Sequence, residues 1–308
     1  MSEQTPLLRV RNLEVEFSTE RGIVRAIENV SFDVMPGETM GLVGESGCGK
    51  SVTSLAILGL IPSPPGRITG GSILLNGREL VGLPESEYRL IRGREISMIF
   101  QEPMTALNPV FRISNQMIDV LVRHQNLTRK QARARAVEML ALVDIPSPAK
   151  RIDEYPHQMS GGMRQRVMIA MALSCNPKLL LADEPTTALD VTTQAQVMEQ
   201  IVKLQEELGT AVVLVTHDLG VVAETCNRAV VMYAGSIAEE APIETLFHHP
   251  RHPYAEGLLK SIPRIRERTL AELPTIPGSV PDLLCLPQGC RFVDRCYKAD
   301  DLCHASEP

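Results

Sequence analysis

A glycine-rich loop between a strand-like run and a helix-like run is the feature that most constrains the fold. Thr39 to Val43 is apolar and typical of a buried strand, and Val52 to Leu60 has a helix-like pattern. The residues between them fit the spacing G-x-x-x-x-G-K-[ST]; they are Gly44, Glu45, Ser46, Gly47, Cys48, Gly49, Lys50 and Ser51. A strand, this loop and a helix in that order predict an α/β fold with a phosphate-binding loop.

The residue types of the loop fit a bound nucleotide. Its three glycines allow positive φ angles and a close approach of backbone N–H groups to phosphate oxygens. Lys50 is predicted to reach the β and γ phosphates and Ser51 to ligate Mg²⁺, and Val52 belongs to the predicted contact set. The structural alternative is a tight strand-to-helix turn with an exposed lysine.

A second strand-like run ends in two carboxylates. Leu179 to Ala182 is continuously apolar, as in a buried parallel strand, and Asp183 and Glu184 follow it. Ligands of open α/β sheets bind at the carboxyl edge of the strands. We therefore expect Asp183 to hold Mg²⁺ through its water shell and Glu184 to polarise the water that attacks the γ-phosphate. The alternative is an acidic pair that caps the turn before Pro185.

A Ser-Gly-Gly turn precedes an apolar, helix-like run from Val167 to Leu173. Ser160, Gly161 and Gly162 leave backbone N–H groups unencumbered at the positive end of a helix, which suits an anionic phosphate. The sequence thus predicts a second phosphate-binding element besides the loop before Lys50.

Two polar side chains follow other strand-like runs. His217 comes shortly after the run Ala211 to Val215, and we expect it at the same sheet edge as Glu184, in contact with the γ-phosphate. Gln101 follows the short run Ile96 to Phe100, and its amide is predicted to bind Mg²⁺ or the attacking water. His217 taken alone is more typical of a turn, and Gln101 taken alone indicates no function; their order along the chain supports the functional interpretation.

In this order the motifs resemble those of the ATP-binding subunits of ABC transporters. The resemblance covers roughly residues 7 to 240 and includes the segment Thr187-Ala188-Leu189-Asp190. It implies an ATPase that uses ATP and Mg²⁺. The implied catalytic residues are Glu184, His217 and Gln101, and the implied Mg²⁺ ligands are Ser51, Gln101 and Asp183.

The resemblance also implies that two such subunits pack head to tail. Each ATP would lie between the phosphate loop of one subunit and the Ser160 turn of the other, with Asp190 at the interface. Two departures from the family are visible. Arg21 stands where the family usually places an aromatic residue against adenine, so stacking is expected from Arg21 or from Phe17. Met163 replaces the usual glutamine after the turn.

A narrower resemblance is to the ATPases of bacterial dipeptide and oligopeptide importers. The segments that carry it are Gln101 to Pro109, Tyr155 to Gln158, and His249 to Tyr254 with Leu258-Leu259. It implies two transmembrane permease subunits, a second, related ABC ATPase and an extracytoplasmic substrate-binding protein as partners. Nickel and opine importers share the subfamily. The His-Pro-Arg-His-Pro-Tyr segment itself predicts a proline-punctuated helix start with a structural role.

Composition limits the partners and the location. The 31 Lys and Arg against 37 Asp and Glu give a net charge of −6, which argues against a nucleic-acid partner. Apolar runs are shorter than the roughly 18 to 20 residues of a membrane helix, and no export leader is evident at Met1 to Val10. We expect a peripheral position on the cytoplasmic face of the inner membrane. A basic helix face after Thr128 is expected to be solvated, with phospholipid headgroups as the alternative; it comprises Arg129, Lys130, Arg133 and Arg135.

The pattern of elements predicts the domain organisation. Alternating β-rich runs near the amino terminus predict an antiparallel subdomain, and βα alternation predicts a mainly parallel sheet in a P-loop ATPase core. A helical subdomain is expected at about 103–176 within a nucleotide-binding domain of residues 1–241. Residues 242–308 are expected to form a small, cysteine-rich extension.

Four of the seven cysteines lie in this extension, with spacing C-x4-C-x5-C-x6-C. Close thiols in a cytosolic chain favour a metal site over disulfides, and the spacing favours [4Fe–4S] over zinc. The resemblance matches three of them, and the fourth ligand is either Cys285 or a residue beyond the sequence. Reduced structural thiols are the alternative. The predicted ligands are Cys285, Cys290, Cys296 and Cys303.

Two other function classes remain open at this point. A soluble ABC ATPase that acts in DNA repair or translation is one, although repair members need a long coiled-coil insertion that this chain lacks before the Ser160 turn. A redox-sensing regulator built around the cysteines is the other, but it leaves the ATPase motifs without a role.

Overall fold

The structure, a computed structural model, describes residues 5–101, 106–187, 190–262 and 275–307. The chain divides into two compact units. The first contains residues 1–34, 39–82 and 215–308, and the second contains residues 35–38 and 83–214.

The described strands follow the alternation expected from the sequence. In chain order they are β1 (Leu8–Thr19), β2 (Gly22–Val34), β3 (Thr39–Val43), β4 (Gly66–Leu75), β5 (Arg78–Glu79), β6 (Ile96–Ile99), β7 (Leu179–Asp183), β8 (Ala211–Thr216), β9 (Arg228–Tyr233) and β10 (Ser236–Pro242).

The described helices are concentrated between β6 and β8 and near the carboxyl terminus. They are α1 (Lys50–Ile57), α2 (Glu85–Ile91), α3 (Ile113–Gln125), α4 (Arg129–Leu142), α5 (Pro148–Arg151), α6 (Gly161–Leu173), α7 (Val191–Leu208), α8 (Leu219–Thr225), α9 (Ile243–His248), α10 (Pro253–Lys260) and α11 (Asp301–Ala305). Short 3₁₀ turns lie at Pro156–Gln158 and Val293–Arg295. No described helix is long and apolar enough to cross a membrane.

The first unit contains an antiparallel sheet in the order β2-β1-β4-β5. Leu8 of β1 pairs with Val34 of β2, and Val10 pairs with Phe32. All four side chains are buried, because alternate residues of a strand point to the same face and this face covers a core. The expected amino-terminal antiparallel subdomain is confirmed.

The first unit also contains β3, which is parallel to β9, while β9 is antiparallel to β10. The carboxy-terminal extension shares the hydrophobic core of these strands. Tyr254, Phe292 and Val293 are buried in one cluster with Val43 and Val231. The domain boundary near residue 241 stays a prediction.

In the second unit β6 is parallel to β7, and the strand order is β8-β7-β6. In the β5-to-β8 part of the chain, α3 and α4 lie within the range expected for the helical subdomain, about 103–176. Thr128 caps α4 in a capping box with Gln131. The mainly parallel α/β class with inserted helices is confirmed.

The basic face of α4 is largely neutralised by neighbouring acids. Arg129 pairs with Asp119 at 2.8 Å and Arg133 pairs with Asp153 at 2.6 Å. Arg135 lies 3.4 Å from Glu138. Since these ion pairs use the positive charges locally, they favour the predicted solvated face over phospholipid headgroups.

Candidate functional site

The phosphate loop joins β3 to α1 and has the backbone that its glycines predict. Gly44, Gly47 and Gly49 have φ angles of 149°, 81° and 104°, which residues with a Cβ rarely adopt. A Cβ on Gly44 would lie 2.2 Å from the Met232 carbonyl oxygen. Glycine at position 44 is therefore required both by its φ and by the close approach of β9.

Lys50 spans the loop from the first turn of α1. Its Nζ donates to the carbonyl oxygens of Gly44 at 2.8 Å and Glu45 at 2.9 Å. Only 5% of the residue is exposed, so the alternative of a turn with an exposed lysine is wrong. Ser51 and Val52 follow on the same turn and are half-buried.

Cys48 belongs to the loop, and its side chain is buried. Burial raises the pKa of its thiol, and the Lys50 ammonium partly opposes that rise. The Cys48 carbonyl accepts a hydrogen bond of 3.1 Å from the Gly235 N–H, which fixes the loop to the turn after β9. The thiol is thus a packing group of the loop in its protonated form.

The predicted carboxylates lie at the end of β7 in the second unit. All five residues of β7 are buried, and Asp183 is its last residue with 5% exposure. Glu184 follows with a φ of 45°, an unfavourable backbone conformation for a residue with a side chain. Such strain is characteristic of functional positions that the surrounding structure holds in place.

Gln101 and Glu184, two of the predicted site residues, lie in direct contact. The Gln101 Nε2 donates to Oε2 of Glu184 at 3.0 Å, and the Thr187 hydroxyl donates to the same oxygen at 2.8 Å. Thr187 was recognised in the sequence only as part of a motif. Its hydrogen bond adds a second group that orients the carboxylate.

The Ser-Gly-Gly turn forms the start of α6. Ser160 is its N-cap, with the side-chain oxygen accepting from the Met163 N–H at 3.3 Å. Since the cap uses the main chain of Met163, the unusual side chain at this position leaves it unchanged. A Cβ on Gly161 would meet none of the described residues within 4 Å, so contacts in this part of the chain do not require glycine here.

Asp190 caps the next helix, α7. Its carboxylate accepts from the Thr193 N–H at 3.0 Å and from the Thr193 hydroxyl at 2.7 Å. These hydrogen bonds, that from the backbone first, lower the pKa of Asp190. Of the predicted segments, Ala188 and Leu189 lie outside the described residues, as do residues 102–105.

His217 follows the buried strand β8 and is exposed. The residues on either side fix its main chain: the Asp218 N–H donates to the Thr216 hydroxyl at 3.0 Å, and the Asp218 carboxylate caps α8. His217 is thus the residue at which a buried strand ends and a capped helix follows.

Comparison with known proteins places these elements in one family. A family described as "ABC transporter" matches residues 27–187. The oligopeptide transport ATP-binding protein AppD of Bacillus subtilis is 53% identical over 302 residues, which are 98% of this chain and 92% of that protein. The chain belongs to the ABC transporter ATP-binding family. It is therefore an ATP-hydrolysing ABC ATPase.

Other relatives of this ABC ATPase are also named for peptides. A family described as "Oligopeptide/dipeptide transporter, C-terminal region" matches residues 238–303. The dipeptide transport ATP-binding protein DppD of Bacillus subtilis is 50% identical over 98% of this chain and 90% of its own. The oligopeptide transport ATP-binding protein OppD of Salmonella typhimurium is 50% identical over 98% and 89%.

Solved structures agree with the fold of this ABC ATPase. The dimeric ATP-binding cassette MJ0796 bound to ADP and Pi has a TM-score of 0.69 and 30% identity, over 77% of this chain and 98% of that one. CbiO1 from Clostridium perfringens, part of the transporter complex cbiONQ, has a TM-score of 0.66 and 25% identity, over 79% and 91%.

Arg21, the predicted adenine-stacking residue, pairs with the carboxy-terminal extension of the ABC ATPase. It donates to Asp282 at 3.1 Å, and both side chains are exposed. The alternative, Phe17, lies half-buried in β1 beside Gly66. Stacking on adenine by Arg21 or Phe17 stays a prediction. The sequence did not predict the ion pair between Arg21 and Asp282, because these residues lie 261 positions apart.

Three of the four carboxy-terminal cysteines lie near one another. Burial raises the pKa of the Cys290 thiol, and the neighbouring Cys303 and Cys296 raise it further. Cys285 is exposed and is absent from the hydrophobic cluster that contains the other three. Within the described residues, no group of three or more His, Cys, Asp or Glu is arranged to hold a metal ion. The [4Fe–4S] or zinc site expected on these cysteines therefore stays a prediction.

Two contacts of the phosphate loop were not predicted from the sequence. The Tyr254 hydroxyl accepts a hydrogen bond of 2.8 Å from the Glu45 N–H in the phosphate loop. Arg295 pairs with the Glu45 carboxylate at 2.7 Å. The predicted helix start is confirmed, since His252 caps α10 and Pro253 opens it. What the motif did not indicate is that Tyr254 extends from this helix to the phosphate loop.

Proposed function

We propose that this chain is the ATPase subunit of a bacterial peptide importer, and that ATP binding and hydrolysis drive the uptake of dipeptides or oligopeptides through membrane permeases. The observation that carries the proposal is the match of residues 238–303 to the oligopeptide/dipeptide transporter C-terminal region. Relatives named for oligopeptide and dipeptide transport, each at least 50% identical over nearly the whole chain, support it.

In this proposal the phosphate loop, Gly44 to Val52, binds the phosphates of ATP. Lys50 exchanges its carbonyl partners for phosphate oxygens, which are stronger acceptors because they are charged. Ser51, Gln101 and Asp183 are the residues that would hold Mg²⁺, which supplies charge neutralisation of the phosphates.

Glu184 acts as the general base for the attacking water. Its hydrogen bonds from Gln101 and Thr187 orient the carboxylate, which accepts a proton from the attacking water. His217 is proposed to contact the γ-phosphate and to register its loss. Gln101 is hydrogen-bonded directly to Glu184. A change in the position of the Gln101 amide would therefore move the Glu184 carboxylate without an intermediate group.

The Ser160 turn is proposed to serve a nucleotide held by a second ABC ATPase. Ser160 and Gly161 are exposed at the start of α6, and among the described residues neither contacts nor φ require glycine at 161. A helix amino terminus of this kind binds anions well. Asp190, also exposed, is proposed to lie at the same interface. The related cassette MJ0796 is dimeric, which supports such an arrangement.

The proposed partners are two transmembrane permeases, the second ATPase and an extracytoplasmic binding protein, and the proposed location is the cytoplasmic face of the inner membrane. Affinity isolation of the native complex with mass spectrometry tests them. The purified complex in proteoliposomes should hydrolyse ATP faster when the binding protein carries a peptide. Stimulation by nickel or an opine instead, or isolation with DNA-repair or ribosomal proteins alone, would contradict the proposal.

A metal cluster on the four carboxy-terminal cysteines stays a prediction without an assigned step. The proximity of Cys290 to Cys296 and Cys303 supports it, and the exposed position of Cys285 does not. Iron, sulfide and zinc measured in the same purified sample would decide between a cluster, zinc and free thiols.

A further inference from the structure

We propose that Tyr254 and Arg295 are positioning residues of the phosphate loop, and that through Glu45 the carboxy-terminal extension sets the affinity of this ATPase for ATP. The inference rests on the proposed role of the loop in binding ATP. It assigns a second task to an extension whose sequence motifs predict only a helix start and a cysteine cluster.

Arg295 uses its whole guanidinium group to hold Glu45 and the chain around it. Nη1 and Nη2 donate to the two carboxylate oxygens at 2.7 and 3.1 Å, the paired geometry that arginine and carboxylate favour. The remaining N–H groups reach the Pro277 and Ile276 carbonyl oxygens and the Tyr233 hydroxyl, at 3.0, 3.4 and 3.4 Å. The guanidinium is 5% exposed, so water competes little for these hydrogen bonds.

Tyr254 holds the main chain of the same residue. Its hydroxyl accepts from the Glu45 N–H at 2.8 Å, and the tyrosine is completely buried against Tyr233 and Phe292. A side chain packed on two aromatic rings has little freedom to move. The Glu45 N–H, the second of the loop, is therefore committed to a fixed partner.

Every polar group of Glu45 is bonded within the first unit. Its N–H is bonded to Tyr254, its carboxylate to Arg295, and its carbonyl oxygen accepts from Lys50 at 2.9 Å and from the Cys48 N–H at 3.3 Å. When Lys50 turns to the phosphates of ATP, the Lys50 hydrogen bond is lost. Tyr254 and Arg295 then keep Glu45 in place, and the loop binds phosphate without first having to be ordered.

A purely structural role for Arg295 would be to attach the extension, and another residue already performs that task. Arg291 pairs with Glu28 of β2 and donates to the Ala234 carbonyl oxygen at 2.6 Å. It is buried to a similar degree and lies in the same segment, but neither acceptor is in the phosphate loop. Arg291 therefore provides a matched control for Arg295.

The test compares ATP affinity and steady-state kinetics of the full-length variants at a temperature where circular dichroism shows each to be folded. Tyr254→Phe removes only the hydroxyl, and Arg295→Lys keeps the charge but loses the paired hydrogen bonds. Both should raise the Kd and the KM for ATP about three- to tenfold, the effect of losing one buried hydrogen bond. The kcat at saturating ATP should stay within about twofold, because Glu184 is untouched.

Arg291→Lys should loosen the extension to a similar extent, as measured by thermal unfolding, without raising the Kd for ATP. A double-mutant cycle adds a second readout: Glu45→Gln and Arg295→Lys should be non-additive in ATP affinity, whereas Glu45→Gln and Arg291→Lys should be additive. If Arg295→Lys does not fold, Tyr254→Phe and Glu45→Gln decide.

The outcomes distinguish failure of the proposed function from failure of the positioning role. If the wild-type protein itself fails to bind ATP, the proposed function fails. If the wild type binds ATP but Tyr254→Phe and Arg295→Lys match Arg291→Lys in affinity, the extension is only attached to the loop and the positioning role is overturned.

Discussion

The side-chain amide of Gln101 donates a hydrogen bond of 3.0 Å to the Glu184 carboxylate, 83 positions away in the chain. The bond joins the end of β6 to the residue after β7, two strands that lie side by side in parallel. Together with the Thr187 hydroxyl it orients a carboxylate whose backbone is strained at φ 45°. Because this geometry fixes the carboxylate, a substitution of the same shape at Glu184 tests its role as a base directly.

Glu184→Gln should preserve ATP binding and nearly abolish turnover. Glutamine has the same shape and its amide oxygen still accepts from Gln101 and Thr187, but it cannot take a proton from water. We expect kcat to fall by about 10² to 10⁴, the usual contribution of a general base. Phosphate release measures turnover, and light scattering with ATP detects the trapped closed dimer. Wild-type hydrolysis by this variant would rule out Glu184 as the base.

Lys50→Met should weaken ATP binding by at least about tenfold. The ammonium group lies at the loop carbonyls of Gly44 and Glu45, and hydrogen bonds to charged groups contribute roughly 1.5 to 3 kcal/mol. Isothermal titration calorimetry with a non-hydrolysable ATP analogue measures the loss. Lys203→Met, on the exposed side of α7, serves as the control and should bind like the wild type. Equal affinity of the two variants would show that Lys50 does not bind phosphate.

Gly161→Ala should leave the stability of the single subunit nearly unchanged but lower the ATPase activity of the dimer. A Cβ at this position meets nothing within 4 Å, and alanine is the better helix former, so unfolding free energy should change by no more than about 1 kcal/mol. ATP binding by the single subunit should be unchanged. ATPase activity of the dimer should fall, since in the proposed dimer the added methyl group faces the nucleotide of the second subunit. A fully active dimer would contradict the assignment of this turn to a second subunit's ATP.

The order in which the cysteine thiols are alkylated should follow their burial, with exposed thiols reacting first. Burial raises the pKa of Cys226 to about 12, so at pH 8 almost none of this thiol is the reactive thiolate. Burial raises the pKa of Cys48 and Cys175 as well, whereas Cys285 is exposed. Iodoacetamide at pH 8 should label Cys285 first in the native protein, and Cys226 only after unfolding. Peptide mass spectrometry locates the label; early labelling of Cys226 would show that the native chain opens around α8.

Much of the ATPase site was predictable because its signals are local. A buried strand, a glycine loop and a helix must follow one another within a few residues, so spacing identified Gly44 to Ser51 before any contact was known. The same holds for Asp183 at the end of β7 and for Ser160 at the start of α6. In each case the predicted site residue lies at the end of a strand or helix. The residues next to that end determine where it falls.

The attachment of the extension was not predictable in this way. Tyr254 and Arg295 lie 209 and 250 positions from Glu45, and the bond from Arg21 to Asp282 spans 261. Such pairs depend on how the extension packs its aromatic side chains against β9. The periodicity of the sequence does not predict this packing. The cysteines show the converse: their spacing favoured a four-ligand cluster, but packing left Cys285 exposed and apart from the cluster of the other three.

Local patterns therefore determined the family, the elements and the residues proposed to bind phosphate, because each depends on neighbours in the chain. Tertiary packing alone decided that the phosphate loop is held from the far end of the chain, through Tyr254 and Arg295. The physical reason is that a buried hydrogen bond needs its donor and acceptor to be placed together by a shared hydrophobic core. That core exists only once the extension has folded onto β9 and β10.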